Sequence, residues 1–448
     1  MRKPTTRAQA FHGLGALAAL LGAAVVLVAS RPLAQRASDE SGRATRAPNI
    51  LLAIADDLDP DHLGFAGNPL ARTPNLDRLA SAALSFSVLY AQPVCRPALA
   101  TLLSGRWPHQ TGILRNKQAT NLDPAGALPA RLRARGYATY CAGKFWEGDH
   151  HAYGFSAPDV LDTSFARYTG GQDELFEFLE HNAATGPWFV WWAPSLPHVP
   201  HDPPARFRQP FEDAAIPIPK WLPEDKESYV AAERALLAMD SWLDDEFARV
   251  LAKVEELGER DETLIVFLAD NGWSSSLPSK NSPHEKGVRS PLLVAPPGST
   301  HGQRVDTRVD LVDVTATLLD YAGASLDGES PGHSLRPWLE GRAGPVRERL
   351  FGVAYDRGLE GAPEDAAYAL YARDERWKYI LFLRTIGPVH AGQQALYDLA
   401  EDPFELHDLA LSKIGESGVD QRMAAFRAAA LDWWRTTGGK EPPALAPR

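Results

Sequence analysis

From residue 48 onward, short apolar runs alternate with longer stretches in which apolar residues recur at helical spacing. Runs at 50–55, 137–142, 189–193, 264–269 and 292–295 read as strands. Between the third and fourth, Leu236, Leu243, Phe247, Val250, Val254 and Leu257 recur at three-, four- and seven-residue steps, the stripe of a helix lying on a sheet. Gly258 is its expected stop. Strand and helix patterns in alternation predict an α/β fold with a central, mostly parallel sheet flanked by helices. Beyond about residue 345 the pattern changes. Apolar segments at 367–373 and 377–383 flank Asp374-Glu375-Arg376 and predict a hairpin, and Met423, Phe426, Leu431 and Trp434 supply the apolar face of a terminal helix. We therefore divide the chain into a large α/β domain at 48–345 and a small C-terminal subdomain, antiparallel sheet plus helix, at 346–448.

The amino terminus is different in kind. Arg2, Lys3 and Arg7 precede an apolar run at 14–29, and Pro32-Leu33-Ala34 offers small residues near a cleavage point. Residues 1–34 read as an export signal, with an uncleaved membrane anchor as the alternative, and 35–47 as a polar linker. The expected location is outside the cytoplasm, with membrane contact only through an uncleaved segment. The formal net charge of −11 argues against a nucleic-acid binder held by phosphate contacts. Two cysteines, Cys95 and Cys141, exclude a disulfide scaffold and a Cys-rich zinc module.

In open α/β sheets, ligands bind beyond the carboxyl ends of the strands. Asp56-Asp57 follow the first run, Gly143-Lys144 the second and Asp270-Asn271-Gly272 the fourth, while Pro197-His198 lie shortly after the third. Any one of these pairs could be an ordinary cap or turn; four together point to a site. Asp56, Asp57, Asp270 and Asn271 form an oxygen-only donor set whose carboxylates would repel one another unless a cation neutralised them. Oxygen donors suit Ca²⁺, with Mg²⁺ second, and disfavour zinc. Cys95 stands two residues before Pro97 with Gly105 as a helix stop, so it is expected at a helix amino end, where the dipole favours a thiolate or a bound oxyanion. Arg96, Arg106 and His109 flank it, and Cys141 is read as a buried strand thiol.

The segments NILLAIADD, TPNLDRLA, CRPALATLLSGR, GYATYCAGK, PHVPHDPP, LIVFLADNG and HEKGVRSP, in this order, resemble the sulfatase family of the alkaline-phosphatase-like superfamily, from about Asn49 to near Leu409. The resemblance implies an alkaline-phosphatase-like fold and hydrolysis of a sulfate ester, most often on a carbohydrate. It implies that Cys95 is converted to formylglycine by a formylglycine-generating enzyme, that Cys95 joins Asp56, Asp57, Asp270 and Asn271 around the metal, that Lys144 and Lys280 are fixed cations, and that His198 protonates the leaving ester oxygen.

Two positions depart from the family pattern. Leu99 occupies the place of the arginine four residues after the cysteine, and Trp146 that of a histidine after Gly143-Lys144-Phe145. Arg96 points elsewhere on a helix than a residue four steps from Cys95. His150 and His151 are read as solvated loop side chains. Trp188, Trp191 and Trp192 belong to a core strand, whereas Trp146, Trp221 and Trp273 fall near strand ends, where a ring can stack on a sugar. His201, Arg206 and Arg208 would add local positive charge. Two other functions share these residues: a phosphate or phosphonate ester hydrolase, and a catalytically silent oxyanion or glycan binder.

Overall fold

The computed structural model describes residues 47–118, 122–157, 172–222, 225–325, 330–355 and 367–440. The predicted amino-terminal segment and all but the last residue of the linker lie outside them. The central sheet holds β1 (Asn49–Ala55), β2 (Leu84–Tyr90), β3 (Ala138–Gly143), β4 (Trp188–Ala193), β5 (Thr263–Ala269), β6 (Arg289–Ser290), β7 (Leu292–Ala295) and β8 (Gln303–Asp310). Its order is β3-β4-β1-β5-β7-β2-β6, with β8 paired to β2. All five predicted strands are present. The first four in spatial order, β3, β4, β1 and β5, are parallel, but β7 runs antiparallel to both β5 and β2.

Both faces are covered because the strands carry large apolar residues on alternate sides. Leu52, Ile54, Trp191 and Leu264 meet helices α1 (Cys95–Ser104) and α3 (Leu311–Tyr321) on one face. Leu51, Ala53, Trp188, Trp192 and Ile265 meet the 31-residue helix α2 (Lys226–Glu256) on the other. The predicted stripe of α2 is buried from Leu236 to Val254, Leu257 caps the helix half-buried, and Gly258 follows at a φ of 72°. Trp188, Trp191 and Trp192 are each at most 1% exposed, so burial of these three side chains alone contributes several kcal/mol.

Three strands of the central sheet were not legible from the apolar runs, the two-residue β6 among them. β2 alternates, LSFSVLY, and β8 reads QRVDTRVD, with Val305 and Val309 as its only aliphatic residues. The smaller sheet also exceeds the predicted hairpin: β9 (Leu350–Tyr355) and β12 (Gln394–Asp398) flank β10 (Ala367–Arg373) and β11 (Trp377–Phe382) in an antiparallel order β12-β11-β10-β9. One face carries α4 (Ser417–Thr436) through Met423, Phe426, Leu431 and Trp434, as expected. The other packs Tyr371 and Ile380 against Val88, Tyr90 and Val288 of the larger layer.

Candidate active site and metal centre

The carboxyl ends of β1, β3 and β5 bring the predicted residues together. Asp56 is fixed by its N–H donating to Leu196 O at 2.8 Å, and the N–H of Asp270 donates to Ala55 O at 2.9 Å. Asp57 adopts a φ of 65°, a left-handed conformation that Asp tolerates better than most residues, and its N–H donates to Asp270 Oδ1 at 3.2 Å. Gly143 ends β3 at a φ of 93°, and a Cβ there would lie 2.3 Å from Ala193 O. Only glycine fits this turn, which delivers Lys144 to the cluster.

Donor atoms of Asp56, Asp57, Cys95 and Asp270 all lie within 4.8 Å of one another, and all four residues are buried. Cys95 opens α1 as predicted, and its thiol donates toward Asp56 Oδ1 at 3.5 Å and Asp57 Oδ1 at 3.8 Å. Lys144 Nζ stands 2.7 Å from Asp56 and 3.3 Å from Asp270, and Lys280 Nζ 2.7 Å from Asp57. His198 Nε2 lies 3.5 Å from Asp57, and its Nδ1 2.7 Å from Val199 O. Asn271 donates from Nδ2 to Asp57 Oδ1 at 2.7 Å, leaving its buried Oδ1 without a partner.

These residues fit a divalent cation. Three buried carboxylates face two ammonium groups, and burial, with Asp56 and Asp57 beside it, pushes Asp270 up to about 7 against the pull of Lys144. Burial also works to raise Asp56, but Lys144, His198 and Lys280 outweigh it and hold it low. A carboxyl half-protonated near neutrality and an orphaned amide oxygen are what a cation bound here would resolve. Asp56, Asp57, Asp270 and Asn271, with the side chain at position 95, would hold it.

At Cys95 the helix end, which favours a thiolate or a bound oxyanion, is opposed by burial and by the carboxylates around it. Burial, then the nearby Asp270 and Asp56, raise the Cys95 thiol well above its ordinary value, overriding the helix dipole. Cys95 and Cys141 are both free, so no disulfide ties Cys95 away from the cluster. Arg96 does not replace the missing arginine. Its guanidinium is buried and bound by Nε and Nη2 to Glu147 at 2.8 and 2.9 Å, and Leu99 lies in the apolar layer with 2% exposure. His150 is buried rather than solvated, its ring tilted against that of His151, whose Nδ1 is 2.9 Å from Phe155 O. Trp146 is exposed, its ring 5.8 Å from Lys144 Nζ. His201 sits against Trp273, whereas Arg206 turns to Asp245 at 3.2 Å and Arg208 is exposed.

Sequence reasoning missed the supports of this centre. His62 faces Glu233 at 3.1 Å and Asp240 at 3.3 Å, and these carboxylates hold its pKa well above normal although burial opposes it. Asp59 of the same loop takes Lys286 at 2.6 Å. The only signal in the sequence was the density of charge at 56–62. Beside these groups opens a cavity of about 690 Å³, lined by Trp221, Phe404, Tyr229, Asp61, Asn68 and Glu233 among others. The acidic cluster with Cys95 lies outside its lining, although Asp59 and Ser274 on its wall continue the Asp57 and Asn271 loops.

A family model described as Sulfatase matches residues 48–324, and one described as N-sulphoglucosamine sulphohydrolase, C-terminal, matches 277–425. The chain is 22% identical to an arylsulfatase of Clostridium perfringens, covering 83% of this chain and 92% of that one. It is 23% identical to an N-acetylglucosamine-6-O-sulfatase of Bacteroides thetaiotaomicron over 82% and 83% of the two chains. Its fold superposes with a TM-score of 0.77, at 20% identity, on a protein solved with its substrate D-glucosamine-2-N,6-O-disulfate, covering 90% and 100%. It also superposes on the phosphonate monoester hydrolase of Agrobacterium radiobacter with a TM-score of 0.72 at 22% identity, covering 87% and 96%. With its central layer matched from end to end, the protein belongs to the sulfatase family of the alkaline-phosphatase-like superfamily, a family of sulfuric ester hydrolases.

Proposed function

We propose that this protein is an exported enzyme that hydrolyses a sulfate ester on a carbohydrate, using a formylglycine made from Cys95 beside Ca²⁺ or, second, Mg²⁺. The observation that carries the proposal is the position of Cys95, at the amino end of α1 within 3.5 Å of Asp56 and 3.8 Å of Asp57. When bound, the cation neutralises the carboxylates and withdraws charge from the group under attack. The chain's own residues do the rest. The side chain at 95 is oriented by the first turn of α1, and Lys144 and Lys280 stand where charge develops on the nonbridging sulfuryl oxygens. With His198 Nδ1 donating to Val199 O, Nε2 is left to carry the transferable proton to the departing oxygen, which requires the doubly protonated ring.

A sugar is favoured by the relatives named for sulfated hexosamines and by the neighbouring cavity. Trp221, Phe404 and Tyr229 offer ring faces, and Asp61, Asn68 and Glu233 offer acceptors for hydroxyls, the combination that holds a second ring of an oligosaccharide. Mass spectrometry of the Cys95 peptide from protein made in its native host, with turnover of aryl sulfate measured beside aryl phosphate, tests the reading. An aldehyde at 95 and preference for sulfate support it. Preference for phosphate moves the activity to the phosphate or phosphonate esters. An unmodified thiol with no turnover replaces it by a silent oxyanion or glycan binder, the alternative that buried Leu99 and displaced Arg96 favour.

A further inference from the structure

Lys280 belongs to a loop with little regular structure, yet its ammonium must be held to a fraction of an ångström to act on a transition state. The neighbouring Asn281 accounts for how. It adopts a φ of 65°, and its N–H donates to Pro93 O at 2.6 Å, two residues before Cys95. Its own carbonyl accepts from the hydroxyl of Tyr368, on β10 of the smaller sheet, also at 2.6 Å. Asn281 therefore joins three segments: the approach to the residue at 95, the loop carrying Lys280, and the C-terminal sheet.

The far end of the same loop is held from the same sheet. Buried Glu285 accepts from Lys378 Nζ of β11 at 3.0 Å and from Arg373 of β10, while its N–H donates to Glu405 at 2.6 Å. The 280–285 loop is thus gripped at both ends by strands that contribute no group to the reactive cluster.

We propose that Tyr368 is a positioning residue for catalysis: through the Asn281 carbonyl it fixes Lys280 against Asp57 and sets the spacing between Lys280 and the side chain at 95. This rests on Lys280 acting in the proposed sulfate-ester chemistry. Removing the hydroxyl frees the Asn281 carbonyl, and the strained turn loses one of its two restraints. Lys280 then leaves its place for part of the time, which weakens the transition state more than the ground state.

The test is a double-mutant cycle of Tyr368→Phe and Lys280→Ala, with kcat and KM measured on an aryl sulfate per active site titrated. Tyr368→Phe is expected to lower kcat about tenfold, the loss of roughly one hydrogen bond, with KM within about twofold and the melting temperature unchanged. In the Lys280→Ala background it is expected to cost nothing further. The same cycle is read on calorimetric affinity for inorganic sulfate, which needs no turnover. Equal losses in both backgrounds, or a loss explained wholly by fewer active sites, overturn the proposal. Absence of sulfate-ester turnover in the unmutated enzyme would instead strike the function it rests on.

Discussion

Replacing Lys144 by Met removes a cation while keeping nearly all of the side chain's volume. Its ammonium stands 2.7 Å from Asp56 and 3.3 Å from Asp270. At an effective dielectric of about 20, each contact represents roughly 5 kcal/mol of attraction before the cost of burying the charge. Most of that attraction serves to hold the carboxylates together and is present in ground and transition states alike. The part that differs, acting on the sulfuryl oxygens as charge builds, is about 3 kcal/mol, or two decades in kcat. The same change leaves the carboxylate cluster more negative, so its cation must bind more tightly, by about tenfold or more on the same electrostatic scale. Turnover and cation affinity are therefore expected to move in opposite directions. Steady-state kinetics on an aryl sulfate gives the first, and the Ca²⁺ dependence of the melting temperature gives the second independently of activity. Turnover within threefold of the unmutated enzyme, or Ca²⁺ affinity that weakens along with kcat, would refute the electrostatic assignment and leave Lys144 as a packing residue.

His198→Gln is expected to lower kcat by about two to four decades on a sugar sulfate, whose alkoxide must be protonated, but far less on a nitrophenyl sulfate, whose leaving group needs no proton; equal losses on both would remove the general-acid role. Lys378→Met leaves Glu285 buried without one of its cations and is expected to cost roughly 3–5 kcal/mol of stability, read by urea unfolding. His109 and His284 are held down to about 4, in both cases first by burial. Their neutral forms favour the fold, so this stabilisation is complete above about pH 6.5 and is lost as pH falls toward 4, at up to roughly 3 kcal/mol per residue. His109→Leu should flatten that part of the unfolding-against-pH curve, and an unchanged slope would show that burial of the ring is not what pays.

What the sequence disclosed was what local pattern can carry. Continuous apolar runs announced β1, β3, β4, β5 and β7, and the acidic, amide and lysine residues just beyond their ends announced the centre. Strands whose burial is arranged by distant partners stayed hidden. β8 is polar at six of its eight positions and is a strand because β2 lies beside it. The direction of β7 was also beyond reach, since four apolar residues read alike in both senses. Cys95 shows where a correct placement left part of the electrostatics unseen. The helix end was legible, whereas the three carboxylates that oppose a thiolate there come from segments far along the chain and were weighed only as metal ligands. Asn281 and Tyr368 carried no signal, because a backbone carbonyl held by a tyrosine 87 residues away leaves no spacing to find.

The reversal of β7 has a consequence for how this scaffold can change. Since β5 and β7 are antiparallel neighbours, the chain leaves the sheet after Ala269 and returns to it at Arg289, through the two-residue β6 that leads into β7. Everything between is an excursion whose length the strands do not dictate. Residues can be added or removed between Asn271 and Lys280 without shifting any strand register, whereas the stretch from Lys280 to Glu285, anchored at both ends, tolerates no such edit. Loop grafts from homologous enzymes should therefore succeed before Lys280 and fail after it, which makes the first half of the excursion the place to retune substrate selection.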